Sequence, residues 1–216
     1  MYANITEKLR ELGCIPFSAA TLDGLLSNFR SQKDKVSCMV KQGELVRIKR
    51  GIYCVSPRIT GQLLSNELIA NHLYGPSYVS LEKALAYHNL IPERVEVTQS
   101  AVMKRAKKIQ TPFGLFTYMT VPVDYYSVGI NQEQTSTGQT FLIASPEKAL
   151  CDLILLRPNL RIVSEKSMRI FLKEYMRVDF QEISNPDLNI LDQCIATGRK
   201  STELLCLRKV IENECF

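Results

Sequence analysis

The chain has 216 residues, of which 45% are hydrophobic and 23% charged, so it can form one large globular domain or two small ones. No apolar run approaches the roughly 20 residues that a membrane helix needs, and the first residues lack the pattern of a secretion signal. The seven cysteines show no C-x-x-C spacing and only two histidines accompany them, which disfavours a disulfide framework or a zinc site. We therefore expect a reduced, cytoplasmic protein with no membrane association.

The formal net charge of +5 is concentrated in the first quarter of the chain. Residues 1–58 carry ten Lys or Arg and five Asp or Glu, whereas residues 59–216 carry seventeen of each. A localised basic surface favours contact with phosphates through the release of bound counterions. The alternative is a solvated basic face without a ligand.

Three short helices are predicted in the basic quarter. Apolar stripes indicate helices over residues 3–12 and 19–27, with Ser18 as a candidate cap of the second. The third helix follows Ser31, which can cap the first turn in a capping box with Asp34. Its apolar face begins at Val36, and a glycine at position 43 ends it.

A hairpin is predicted directly after the third helix. Residues 45–48 and 52–55 are rich in aliphatic, β-branched and aromatic side chains, and they flank Lys49-Arg50-Gly51. Three helices followed by a hairpin with a basic tip are the elements of a winged helix-turn-helix, which we predict over residues 1–58.

The predicted module suggests a set of DNA contacts. In helix-turn-helix proteins the N-terminal residues of the second helix of the motif contact base edges, and Gln and Lys can pair with adenine and guanine there. The basic residues around them are better placed for phosphates. The candidate DNA-binding residues are Arg30, Gln32, Lys33, Lys35, Ser37, Lys41, Arg47, Lys49 and Arg50. For each single lysine of the helix, solvation of an exposed surface is an equally simple interpretation.

Residues 59–216 are predicted to form a mixed α+β domain with a helical C-terminal part, after a linker at 56–62 that contains proline and glycine. Helices are expected at 63–73, after a cap at Ser80, after a cap at Ser145, and at 164–178, 187–196 and 200–213. Strands are expected at 95–98, 113–121 and 140–144, and a loop at 129–138. The basic run 104–108 either extends a DNA-contacting surface or is a solvated hairpin connection.

Four segments resemble a known family. Residues 39–57, MVKQGELVRIKRGIYCVSP, are similar to the end of the winged-helix domain of AbiEi-type antitoxins. Residues 78–93, 111–118 and 141–156, the last with the sequence FLIASPEKALCDLILL, resemble the antitoxin domain that follows it in that family. Two motifs that resemble this family, SLEKAL and IASPEKALCDL, occur in the same chain and in the order found in the family.

The resemblance implies the antitoxin of a bacterial type IV toxin–antitoxin system linked to phage defence. Such a protein represses its own operon by binding promoter DNA through the winged helix. The resemblance further implies that the second domain counters a nucleotidyltransferase-like toxin without a stable complex between the two proteins. Carried over to this chain, Lys33, Lys41, Arg47, Lys49 and Arg50 would contact operator DNA.

Two other functions are weighed against this interpretation. A metal-dependent nuclease needs clustered carboxylates, but Glu147 and Lys148 are adjacent and begin a helix, so they do not form the D…E-x-K arrangement of a strand pair. Phosphate-loop and nucleophile-elbow motifs are also missing. A ligand-sensing regulator would need a pocket that the sequence does not identify. We therefore predict no catalytic residue, cofactor or metal.

Overall fold

The computed structural model describes residues 2–215, and side chains from Ile5 onward. The protein is mixed α+β, with one small sheet, one larger mixed sheet and several helices. The helices are α1 (Tyr2–Leu12), α2 (Ala19–Leu25), α3 (Gln32–Lys41), α4 (Pro57–Thr60), α5 (Asn66–Leu73), α6 (Leu81–Tyr87), α7 (Val123–Tyr126), α8 (Pro146–Leu156), α9 (Glu165–Ile170), α10 (Leu188–Ala196) and α11 (Ser201–Cys215). A π-helical segment, Phe171–Tyr175, continues α9.

The strands form two sheets. They are β1 (Phe17–Ser18), β2 (Leu45–Lys49), β3 (Ile52–Val55), β4 (Ser77–Val79), β5 (Thr98–Val102), β6 (Lys107–Thr111), β7 (Gly114–Thr120), β8 (Ile130–Gln134) and β9 (Thr140–Ala144). The small sheet has the order β1-β3-β2 and is antiparallel. The larger sheet has the order β6-β7-β5-β4-β9-β8, in which only the β4–β9 and β5–β7 pairs are parallel.

Residues 2–55, called here the N-terminal unit, pack three helices against the small sheet. Leu9, Leu22, Leu26, Met39, Leu45 and Val55 form a buried cluster at its centre. Gly43, with φ +72°, ends α3, and Gly51, with φ +83°, lies in the turn between β2 and β3. The predicted order of three helices and a hairpin is therefore confirmed at the level of its elements.

The β2–β3 hairpin contributes to two cores because successive side chains of a strand point to opposite faces. Leu45 and Val55, which pair across the hairpin, belong to the cluster of the N-terminal unit. Ile48 and Cys54 lie on the other face and join the core of the larger part, which comprises α5 and all later elements. The hairpin is thus held from both sides.

Several predicted boundaries differ from the structure. The expected linker at 56–62 contains the helical turn α4, because Ser56 accepts the amide of Arg58 and Pro57 is at the first helical position. The helix expected at 63–73 begins at Asn66, where the Ser65 hydroxyl accepts the amide of Leu68.

Among the predicted strands, 140–144 is confirmed and 113–121 is nearly so, whereas the strand expected at 95–98 begins only at Thr98. The loop expected at 129–138 contains β8. Four of the five residues of β8, INQEQ, are polar, which fits an edge strand with largely exposed side chains.

Candidate nucleic-acid interface

Helix α3 begins at Gln32, as expected, but its predicted cap does not form. The Ser31 hydroxyl donates a 2.5 Å hydrogen bond to the Asp34 carboxylate and accepts no amide of the first turn. The predicted capping box between these residues is therefore wrong in its hydrogen bonding, although the position of the helix start is right.

A groove of about 330 Å³ lies between the first turn of α3, the start of α2 and the hairpin. Its polar lining brings together Gln32 and Lys33 of α3 with Arg47 and Arg50 of the hairpin. Arg47 pairs with Tyr53 across the hairpin, on the face that is turned to the helices of the N-terminal unit. The sequence predicted each of these four residues as a DNA contact, and the fold places them around one surface depression.

The charged side chains of this groove are mostly positive and exposed to solvent. Lys33, Arg47 and Arg50 are exposed, and none of them forms an ion pair with another residue that the structure describes. Asp23 is the one acidic residue of the lining. The side chain of Gln32 donates a 3.3 Å hydrogen bond to the Asp23 carbonyl, which ties the first turn of α3 to α2.

The remaining predicted residues of the helix region lie outside the groove. Ser37 and Lys41 lie four and eight residues after Lys33, so they share one exposed face of α3 with it. Arg30 is exposed just before the helix. Lys35 lies 5.5 Å from the centre of the Phe29 ring, which packs against the cluster of the N-terminal unit.

Lys49 occupies a different environment from the other predicted contacts. Its ammonium donates a 2.7 Å hydrogen bond to the carbonyl of Leu73, the last residue of α5 in the larger part. Burial lowers the pKa of Lys49, and the nearby positive charge of Lys107 lowers it further. The structure therefore directs this lysine toward the larger part, whereas the sequence suggested a free position at the hairpin tip.

The basic run 104–108 lies near Lys49, where the hairpin contacts the larger part. Lys104 and Lys107 lie 5.7 and 5.3 Å from the centre of the Tyr74 ring, and Lys104 donates a 2.6 Å hydrogen bond to the Gly75 carbonyl. The end of the run starts the edge strand β6 instead of remaining in a loop. Sequence reasoning found the run but had no signal for its proximity to the hairpin.

A buried polar network lies in the larger part, away from the groove. Lys148 and Asp152 are fully buried on α8, with 3.4 Å between Nζ and Oδ1. Lys148 donates a 2.8 Å hydrogen bond to the Tyr125 carbonyl, and the Ser80 hydroxyl donates one of 2.5 Å to Asp152. Ser80 was predicted to cap α6, and that prediction is wrong in its hydrogen bonding.

This network holds secondary-structure elements together, and its two charged side chains are not exposed to solvent. Ser80 precedes α6, Lys148 and Asp152 lie on α8, and Tyr125 lies on α7, so four side chains or carbonyls tie three helices together. Across residues 2–215, no group of three or more His, Cys, Asp or Glu residues is arranged to hold a metal ion. The helices of the same residues include none that combines the length and the apolar character needed to span a bilayer.

The chain was also compared with known proteins. No model of a protein family matches it, and a search of curated proteins finds no similar one. The similarity to AbiEi-type antitoxins therefore stays a prediction from the four segments that carry it.

Proposed function

We propose that this protein is a DNA-binding repressor of its own operon and the antitoxin of a type IV toxin–antitoxin system. In this proposal the N-terminal unit is a winged helix-turn-helix, with α3 as the recognition helix and the β2–β3 hairpin as the wing. The observation that carries the DNA-binding role is the groove in which Gln32, Lys33, Arg47 and Arg50 converge.

The chemistry of the four groove residues fits double-stranded DNA. Gln32 and Lys33 are in the first turn of α3, the position from which recognition helices contact base edges in the major groove. Arg47 and Arg50 carry exposed guanidinium groups, which bind phosphate oxygens in a bidentate manner. Base contacts would supply sequence preference, and the arginines would supply affinity and salt dependence.

The antitoxin role is supported by the resemblance of three segments of the larger part and by their arrangement. Residues 78–93, 111–118 and 141–156 supply parts of β4 with α6, of β7, and of β9 with α8. Strand β4 pairs with β9, and Ser80 next to α6 bonds to Asp152 of α8. Segments 78–93 and 141–156 thus contact each other directly, and segment 111–118 lies two strands away from β4 in the same sheet.

The DNA-binding role can be tested with the promoter fragment of the protein's own operon. Arg47→Ala/Arg50→Ala is expected to weaken binding at least tenfold and to flatten the plot of log K against log salt by about 2, one unit for each lost phosphate contact. Fluorescence anisotropy over a range of KCl concentrations measures both. The matched control is Arg161→Ala/Lys166→Ala, which removes the same charge from exposed sites in the C-terminal part.

Two results would contradict the DNA-binding role. Equal losses in the control and in the groove variant would show a general effect of charge without a specific surface. Mg²⁺-dependent cleavage of the DNA by the pure protein would favour the nuclease interpretation instead.

The antitoxin role is tested by growth. Co-expression of this protein with a neighbouring nucleotidyltransferase-like gene is expected to restore growth, and continued growth arrest would count against the antitoxin role.

A further inference from the structure

We infer that Lys49 is a positioning residue, which docks the β2–β3 hairpin onto the carboxyl end of α5 and thereby fixes the orientation of the groove, without binding a DNA phosphate itself. The inference rests on the proposed function, because the groove is the proposed DNA interface. It also reassigns a residue that the sequence alone places among the DNA contacts.

A β-bulge turns Lys49 away from the groove. Pairing in the hairpin is regular from Leu45↔Val55 to Arg47↔Tyr53, but it then shifts, so that Lys49 lies opposite Ile52. In a regular strand Lys49 would share the face of Arg47, two residues before it. The extra residue instead places Lys49 across from Ile52, which packs against the core of the larger part. Bulges commonly redirect a side chain in this way.

The docking point is suited to an ammonium group. The last carbonyls of a helix have no partner within the helix and carry partial negative charge. Leu73 ends α5, and its carbonyl accepts the 2.7 Å hydrogen bond from Lys49. Ile48, the residue before Lys49, is 2% exposed within the larger core, so apolar contact supports the same junction.

A second lysine is used in the same way nearby. Lys104 donates to the carbonyl of Gly75, two residues after Leu73. Together the two ammonium groups bind carbonyls on either side of Tyr74, whose ring also lies beside Lys107. Arg50, the residue after Lys49, is exposed, and its side chain donates to no carbonyl among the residues that the structure describes. Adjacent basic residues thus divide into one that holds the hairpin and one that faces solvent.

Amide hydrogen exchange tests the docking without DNA. Lys49→Met keeps the length of the side chain but removes its donor, and Arg50→Met is the matched control. We expect faster exchange in residues 45–55 and 66–77 for Lys49→Met, and exchange equal to that of the wild type for Arg50→Met. Lys49→Arg, which restores a cationic donor, is expected to return exchange toward the wild-type rate. Wild-type exchange in Lys49→Met would overturn the inference.

Salt dependence of DNA binding tests whether Lys49 also contacts phosphate. The slope of log K against log salt is negative, and each lost phosphate contact reduces its magnitude by about 0.9. We expect this decrease for Arg50→Met, and for Lys49→Met an affinity about 3- to 10-fold weaker with an unchanged slope. A slope of reduced magnitude in Lys49→Met would overturn the inference. Absence of DNA binding by the wild type would instead refute the proposed function, and the exchange experiment would still decide the docking.

Discussion

Lys33 in the N-terminal unit and Lys148 in α8 occupy opposite environments. Lys33 lies exposed at the edge of the groove and has no acidic partner among the residues that the structure describes. Lys148 is fully buried between the Asp152 carboxylate and the Tyr125 carbonyl. An exposed unpaired cation contributes little to folding but remains available to an anion, whereas a buried paired cation holds helices together and is closed to solvent.

This comparison separates exposed charges, which can bind an anion, from buried charges, which hold the fold together. Among the residues that the structure describes, Lys33, Arg47 and Arg50 of the groove form no ion pair, which suits reversible binding to phosphates. In the larger part, charges are more often paired, as in the Lys83–Glu67 and Arg208–Asp192 contacts. The β2–β3 hairpin belongs to both regions, since one face packs on the N-terminal unit and the other on the larger core.

The largest effect is expected from breaking the buried pair. Lys148→Ala leaves Asp152 with its Ser80 hydrogen bond but without its countercharge, and removing one partner of a buried pair typically costs about 3–5 kcal/mol. Chemical denaturation followed by circular dichroism measures the free energy of unfolding.

The control for that change is an exposed pair in the same part of the chain. Arg94 and Glu96 are 3.0 Å apart with side chains 90% and 77% exposed, so Arg94→Ala is expected to cost no more than about 1 kcal/mol. Similar losses of stability in the two variants would show that burial does not separate the two kinds of charge here.

Local signals predicted much of the fold. The helix after Ser145 starts where expected, because serine accepts the Lys148 amide at 3.2 Å and proline follows at the first helical position. The third helix and its hairpin were also found from apolar spacing and from glycines at 43 and 51. These features depend on residues only a few positions apart.

Features set by distant parts of the chain could not be predicted. In the sequence, Lys148 and Asp152 resemble an exposed i,i+4 pair, and only the approach of Ser80 and Tyr125 buries them. The docking of Lys49 depends on a bulge and on a carbonyl 24 residues further along the chain. The basic and polar residues of the candidate groove were predicted as DNA contacts by residue type, but the groove itself comes from the packing of α3 on the hairpin.

The hairpin supplies the next test, because its two faces should respond differently. Ile48→Ala and Leu45→Ala each remove a buried side chain, and each is expected to cost about 2–4 kcal/mol. Hydrogen exchange should show loosening of α1–α3 for Leu45→Ala and of α5 for Ile48→Ala, because the two residues belong to different cores. Identical exchange patterns would mean that the hairpin does not divide its contacts in this way.

The smallest effect is expected from the Glu67 carboxylate, which is partly buried and therefore lies between the exposed and the fully buried charges. Burial alone would raise the pKa of Glu67, but hydrogen bonds from its own amide and from Ser65, together with the Lys83 ammonium, outweigh it and lower the pKa. Because the carboxylate is favoured in the folded state, it stabilises the protein above its unfolded pKa, and this contribution is lost as the pH falls through the lowered folded value.

Glu67→Gln should therefore reduce stability by about 1 kcal/mol at pH 7. The difference from the wild type should shrink as the pH falls below the usual range of a glutamate, and unfolding in urea from pH 7 to pH 3 measures it. Lys83→Met removes the partner ammonium at 3.0 Å and should reproduce part of the loss. A stability difference that does not change with pH would show that Glu67 acts through packing and not through its charge, which would place it with the apolar contacts of α5.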